Sequence, residues 1–296
     1  MTKQQSPDFT QHFGQATFLG DFENGSQQWH DLRNQPGVIS GSEIGTILGL
    51  SPWTSAYTLW AQKTGLLSDT FEQNLSMRLG QLIEPAILQL YREQHLEQQI
   101  FEVGTFAHKD FPWAHANPDA LCIDDLGNPF ILEIKHTATY WDSIPENYQA
   151  QVFWYMWIFN VRKAVFAVVN AGRYKEYELD FDDFEFAAIL DRVTKFKRLV
   201  ETGEAPDWDG SDSTFETVRS LSPEIEDTRE DLGQLGIELW NANEAVKKAE
   251  THLTEMKSRT IAALNGAKYG VVEGTVVCVL SQRGAGKPFL TIKENN

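Results

Sequence analysis

The sequence predicts a mixed α/β (α+β) protein: a central mixed sheet flanked by helices, then a C-terminal helical coiled-coil arm and a terminal β-hairpin. Three observations predict it. Apolar runs at 130–136 and 165–169 are bounded and as short as strands. Apolar residues recur at helical spacing over 76–96 and 184–200. Leu232, Leu235, Leu239, Ala242, Val246, Ala249, Leu253 and Met256 keep the three-four rhythm of a heptad seam. With 296 residues, 42% hydrophobic and 12% aromatic, the chain is large and apolar enough to bury a substantial core. The pattern divides it into a polar leader (1–25), a core domain (26–208) and an arm with its hairpin (209–296).

The leader is Gln-rich with few periodic apolar positions, so a loose segment is expected. Helices follow over 26–34, over 42–49 with Ser42 as its cap, and over 54–64, closed by Gly65 where a C′ glycine belongs. A longer helix spans 76–96. Strands are expected over 99–107, 113–123 and 130–136, then a helix over 145–159 with Pro145 in its first turn. Residues 165–169 form a buried strand with 174–179 as its hairpin neighbour, and 184–200 a further helix. In the arm, Gly233 and Gly236 weaken a helix over 223–265 and predict a bend or break before Leu239. The terminal hairpin pairs 270–281 with 288–293 around Gly284-Ala285-Gly286-Lys287. That turn is not a phosphate loop, because Ser281 stands where the first glycine belongs and Pro288 replaces the Ser/Thr.

Composition excludes several classes. No apolar run reaches membrane-spanning length and the first residues are polar, so a soluble, intracellular protein is expected. Cys122 and Cys278 are too few for a four-cysteine iron–sulfur cluster and fit reduced, buried thiols. The seven histidines show no His-x₃-His spacing for zinc. A net charge of −17 argues against broad coating of nucleic acid. Much of that excess acid falls after residue 175, on stretches read as solvated faces, which leaves room for a locally basic channel.

The chemistry concentrates at 118–135. Alternation in a strand puts Glu133 and Lys135 on one face and Leu132 and Ile134 on the other. Asp119 reaches the Glu133 face from the preceding strand, across a hairpin turning at Asp124-Asp125-Leu126-Gly127-Asn128. Two carboxylates then offer hard oxygen ligands to Mg²⁺, with the ammonium beside them. The Ile134 carbonyl is a third candidate oxygen, and Lys135 is placed to orient water or stabilise phosphoryl charge.

Around this stretch stand Trp29 and Arg33; Gly41-Ser42-Glu43-Ile44-Gly45 through Leu50-Ser51-Pro52; Leu59-Trp60 and Lys63-Thr64-Gly65; Gly80 through Glu84-Pro85; and Tyr148-Gln149-Ala150-Gln151. In this order the set resembles the lambda exonuclease/YqaJ-like viral recombinase family of the PD-(D/E)xK nuclease superfamily, over roughly residues 26–200. The resemblance implies a PD-(D/E)xK restriction-endonuclease-like core. It also implies a Mg²⁺-dependent 5′→3′ exonuclease, with Mn²⁺ able to substitute, that leaves 3′ overhangs on linear duplex DNA for single-strand annealing.

By the same resemblance, Glu84 is a third acidic group of the site, and Gln151, rather than Gln149, is the amide that meets water or phosphate. Arg33 and Ser42 would bind a 5′-terminal phosphate. Asn117 stands where some relatives carry serine, and Tyr148 lies one turn before Gln151; both join the candidate DNA contacts. The exposed loops make Trp53 or Trp141 candidates to stack on a base. Partners implied are duplex ends, an annealing protein and sister copies in a ring-shaped trimer or tetramer, in the cytoplasm of a bacterium carrying a phage or prophage. Two other readings stay open: a same-fold nuclease of other polarity or endonucleolytic action in defence, and an inactive DNA-end-binding adaptor.

Overall fold

The computed structural model describes residues 13–14, 16–22, 25–68 and 75–293. The chain divides into two compact units, 1–223 and 224–296.

In the first unit the described elements run β1 (Ala16–Gly20), α1 (Gln27–Arg33), β2 (Ile39–Ser40), α2 (Gly41–Ile47), α3 (Ala56–Lys63) and α4 (Leu75–Gln94). Then come β3 (Gln99–Glu102), β4 (Thr105–His108), β5 (Ala114–Ala116), β6 (Ala120–Ile123) and β7 (Pro129–Thr137). The unit closes with α5 (Glu146–Phe159), β8 (Lys163–Asn170), β9 (Arg173–Asp180), α6 (Asp183–Thr202) and α7 (Asp212–Leu221). A five-stranded sheet has the order β3-β6-β7-β8-β9; β7 and β8 are parallel and the other pairs antiparallel. A smaller sheet has the order β1-β4-β5-β2.

Strand alternation sorts β7 between two cores. Phe130, Leu132 and Ile134 pack with Ile87, Leu88 and Tyr91 of α4. Ile131 points the other way, into the larger core around α5. Helix α5 is the crossover between the parallel strands and buries Val152, Phe153, Trp154, Met156, Ile158 and Phe159. A helix apolar on every side belongs inside, and this one lies against the sheet face that carries Glu133 and Lys135.

Several expectations are corrected. Part of the supposed leader, Ala16–Gly20, is a strand paired with β4, while residues 1–12 lie outside the described residues. The strands expected over 99–107 and 113–123 are each broken in two. The first breaks at Gly104, where a Cβ would sit 2.3 Å from the Gly20 carbonyl oxygen. The second breaks at Asn117-Pro118-Asp119, since proline has no N–H for a ladder. Ser40, not Ser42, precedes the first turn of α2: Glu43 reaches back to the Ser40 N–H at 2.8 Å. Helix α7, not expected from the sequence, falls in the stretch assigned to the arm but lies with the first unit, which ends at Pro223 and not at residue 208. A buried hydroxyl ladder holds it there: Thr214 donates to Ser55 at 2.8 Å, and Thr217 and Thr58 share a bond of 2.8 Å.

The second unit contains α8 (Gln234–Leu264) and a sheet of β10 (Tyr269–Val272), β11 (Thr275–Ser281) and β12 (Phe289–Ile292). The expected break before Leu239 falls at Gly233, whose φ of 53° suits glycine: the helix starts only after it and then continues through Gly236. The expected hairpin is a three-stranded meander. Glu273 and Gly274, at φ 49° and 85°, make the tight turn that splits 270–281. Among the described residues no helix is long and apolar enough to cross a membrane.

Candidate active site

The expected hairpin positions the acidic pair. Strands β6 and β7 are antiparallel with Ala120 opposite Leu132, so Asp119, just before β6, lies level with Glu133 and Ile134. Asp124 closes the turn by accepting from the N–H groups of Leu126 and Asn128. Asp119 Oδ2 accepts the Ile134 N–H at 2.6 Å. The N–H and C=O of an extended residue face the same edge, so the Ile134 carbonyl also points toward the Asp119 side.

Glu133 is 2% exposed. Its Oε1 accepts from Lys135 Nζ at 2.6 Å and from Gln151 Nε2 at 3.0 Å. Gln151 also donates to the Tyr155 hydroxyl at 3.0 Å, one turn along α5. Gln149 instead donates to the Ile144 carbonyl, so Gln151 is the amide at the site. Lys135 lies 5.1 Å from the centre of the Tyr148 ring. The Tyr155 ring is pressed against the α2 backbone here: a Cβ on Gly41 would fall 2.2 Å from it.

Three carboxylates share one ammonium. Burial, then Asp119, pushes the Glu133 carboxyl up to about 8, against the pull of Lys135. Burial and Asp119 likewise raise Glu84, on α4, to about 7. Burial raises Asp119 too, opposed by Lys135 and the Ile134 N–H. Burial alone would lower Lys135, yet Glu133 and Asp119 outweigh it and hold the ammonium charged. The cluster titrates as a group, and in the absence of a cation it retains a proton near neutrality.

This donor set fits a divalent cation. Glu133 Oε2 is buried without a hydrogen-bond partner, and the oxygens around it are hard ligands. Among the described residues no three His, Cys, Asp or Glu side chains form a complete metal cage.

Asp119, Glu133, Lys135, Gln151, Tyr148 and Asn117 line one open cleft of about 620 Å³, and Arg33 and Ser42 line it as well. Glu84 and Ile134 adjoin the cleft without lining it, while Met77 and Gln81 of the Glu84 helix do line it. Arg33 donates to Ser42 Oγ at 2.9 Å and rests on Trp29, 4.2 Å from the ring centre. Asn117 accepts from Thr105 at 3.3 Å. Trp53 stands exposed on the cleft wall. Trp141 is instead buried against Tyr148 and Tyr177, which removes it as a stacking platform.

Two residues of this wall have no assigned role in the sequence reading. Glu43 is buried and binds Lys63 at 3.0 Å, with Arg33 at 3.7 Å. Burial favours its neutral form, but Lys63, Arg33 and the Ser40 N–H prevail and keep its carboxyl below the usual range. One buried anion thus ties α1, α2 and α3 together and fixes the Arg33 backbone, whose carbonyl accepts from Lys63 at 3.2 Å. The Ser-Gly-Ser-Glu string is visible as a capping box, but nothing in it announces the pairing with Lys63.

A mixed sheet whose strand β7 bears Glu133 and Lys135, with Asp119 beside them and helices on both faces, is consistent with a PD-(D/E)xK-like core. Residues 28–162 match the YqaJ-like viral recombinase domain. The chain is 26% identical over 262 residues to the uncharacterized protein YqaJ of Bacillus subtilis (strain 168), covering 81% of this chain and 79% of that one. Its fold is similar to an alkaline exonuclease, LHK-Exo, from Laribacter hongkongensis (TM-score 0.50, 20% identity, 60% of this chain and 94% of the other). The structure of LHK-Exo in complex with dAMP matches equally well (TM-score 0.50, 18% identity, 66% and 97%).

Proposed function

We propose that this protein is a Mg²⁺-dependent 5′→3′ exonuclease that degrades one strand of linear duplex DNA and leaves a 3′ overhang for an annealing protein. The observation that carries the reading is the shared cleft: the Asp119–Glu133–Lys135 cluster and the Arg33–Ser42 pair line the same cavity. A strand end whose phosphate meets Arg33 then has its backbone directed at the carboxylates. The fold-related alkaline exonuclease, crystallised once with dAMP, supports a nucleotide substrate. Asp119, Glu133 and the Ile134 carbonyl would hold the cation, with Glu84 beside them. Bound there, Mg²⁺ or Mn²⁺ supplies Lewis-acid stabilisation of phosphoryl charge and a more acidic water. Lys135 adds a positive charge at the phosphoryl oxygens, and Gln151, held by Tyr155, orients water or a phosphate oxygen. Bacterial cytoplasm is the matching compartment, and a ring-shaped homo-oligomer around the duplex would keep the enzyme on its substrate.

The test uses linear duplexes labelled at the 5′ or 3′ end, with a 5′-phosphate or a 5′-hydroxyl, with and without Mg²⁺. Mononucleotides should leave from the phosphorylated 5′ end, and only with the cation. A guanidinium–phosphate contact is a charge-assisted bond of about 1.5–3 kcal/mol. Arg33→Ala should therefore slow the phosphorylated duplex by about 10- to 100-fold and the hydroxyl duplex little. Equal losses on both ends, or cutting of closed circles, would overturn the reading.

Cation binding should depend on pH. Carboxylates must be ionised to bind, and here they are raised to about 7 for Glu84 and about 8 for Glu133. Mg²⁺ or Mn²⁺ affinity should therefore climb with pH across that window, by about tenfold per pH unit for each proton displaced. The same shifts stabilise the cation-free fold below the unfolded carboxylate pKa of 4.5, a contribution lost as pH rises through 7 to 8. Calorimetric titration that finds no proton release at pH 7 would count against the cluster as the metal site.

A further inference from the structure

Helix α8 is 31 residues long and has no buried residue. On its seam, Leu235, Leu239 and Val246 are 62%, 63% and 55% exposed. Isolated helices draw most of their stability from packing an apolar face, so this stripe needs an occupant. No second helix is present among the described residues of the same unit. We infer that the occupant is α8 of a second copy of this chain, laid antiparallel with Leu239 against Met256.

Side-chain size favours this pairing. Leu239, Val246 and Leu253 occupy one heptad position, while Leu235, Ala242, Ala249 and Met256 occupy the other. A parallel pair stacks like on like, leaving Ala242 on Ala242 and Ala249 on Ala249 with a void in each layer. An antiparallel pair joins the two positions. Leu253 then meets Ala242 and Val246 meets Ala249, so large and small side chains interlock in these layers, and Leu239 meets Met256 toward the ends.

Charge favours it independently. In that antiparallel register Glu238 and Arg259 flank the same layers and face each other, twice by symmetry. The parallel register puts Glu238 beside Asn243 and Arg259 beside Leu264, with no ion pair. Arg259 already binds Glu255 on its own helix, and the guanidinium has donors for a second carboxylate.

Cysteine cross-linking in the full chain tests the register. Leu239 is exposed and Met256 only half-buried, so Leu239→Cys and Met256→Cys open no core, and native Cys122 and Cys278 are buried. Produced together in one cell and mildly oxidised, the two variants should give a disulfide-linked dimer. Neither variant alone should do so, because two copies of position 239 lie about 25 Å apart at 1.5 Å per residue. Glu238→Arg or Arg259→Glu alone should cut the cross-link yield severalfold, and the double reversal should restore it. Self-linking of Leu239→Cys would establish a parallel pair and overturn the proposal. No link in the co-produced pair would overturn it as well, leaving the stripe to the rest of the chain or to another protein.

Discussion

Glu133→Gln should lower the rate of Mg²⁺-dependent cleavage by more than about 10³-fold while the protein melts at or above the wild-type temperature. Glu133 is 2% exposed, and one of its oxygens has no hydrogen-bond partner. Its carboxyl, raised to about 8 by burial and Asp119, costs the cation-free fold stability at neutral pH. The amide keeps the shape and loses the charge, so activity and stability should move in opposite directions. Asp119→Asn should show the same loss of rate, since an amide oxygen can still accept the Ile134 N–H but binds a cation poorly. Single-turnover cleavage beside a thermal melt reads both quantities. A Glu133→Gln protein within tenfold of wild type would remove the metal assignment.

Lys135→Ala should reduce kcat by about 10²–10⁴-fold, the usual range for a positioned charged or acid–base group, with a much smaller change in KM. A second consequence separates a charge effect from a folding defect. Lys135 is the cation that opposes the upward shifts of Glu84, Asp119 and Glu133. Without it those carboxylates ionise at higher pH, so the residual activity should peak at more alkaline pH than the parent. Arginine should rescue incompletely, because its planar fork does not fit where a compact ammonium lies 2.6 Å from Glu133. A shifted pH profile with unchanged kcat would show that Lys135 serves only as a counter-ion.

The sequence alone determined the strand face that carries Glu133 and Lys135, the hairpin that returns Asp119 to it, the run of helices through α6 and the heptad stripe of α8. Each is written in spacings of two, three or four residues, where the physics is local: strand alternation, turn chemistry and helical periodicity. The resemblance added Gln151 and Arg33 as candidates, but only the packing of α5 on β7 set Gln151 against Glu133 and left Gln149 on a loop carbonyl. Glu43 had no role in the sequence reading and proves to be the buried anion joining Arg33 and Lys63. Helix α7 escaped notice because Thr214 and Thr217 are polar in sequence, yet they are buried through hydroxyl partners at the start of α3, Ser55 and Thr58, more than 150 residues away. Trp141 read as a loop aromatic until Tyr148 and Tyr177 enclosed it. A side chain's burial, its partner and the protonation state they impose depend on which distant segments pack beside it, and no local spacing encodes that.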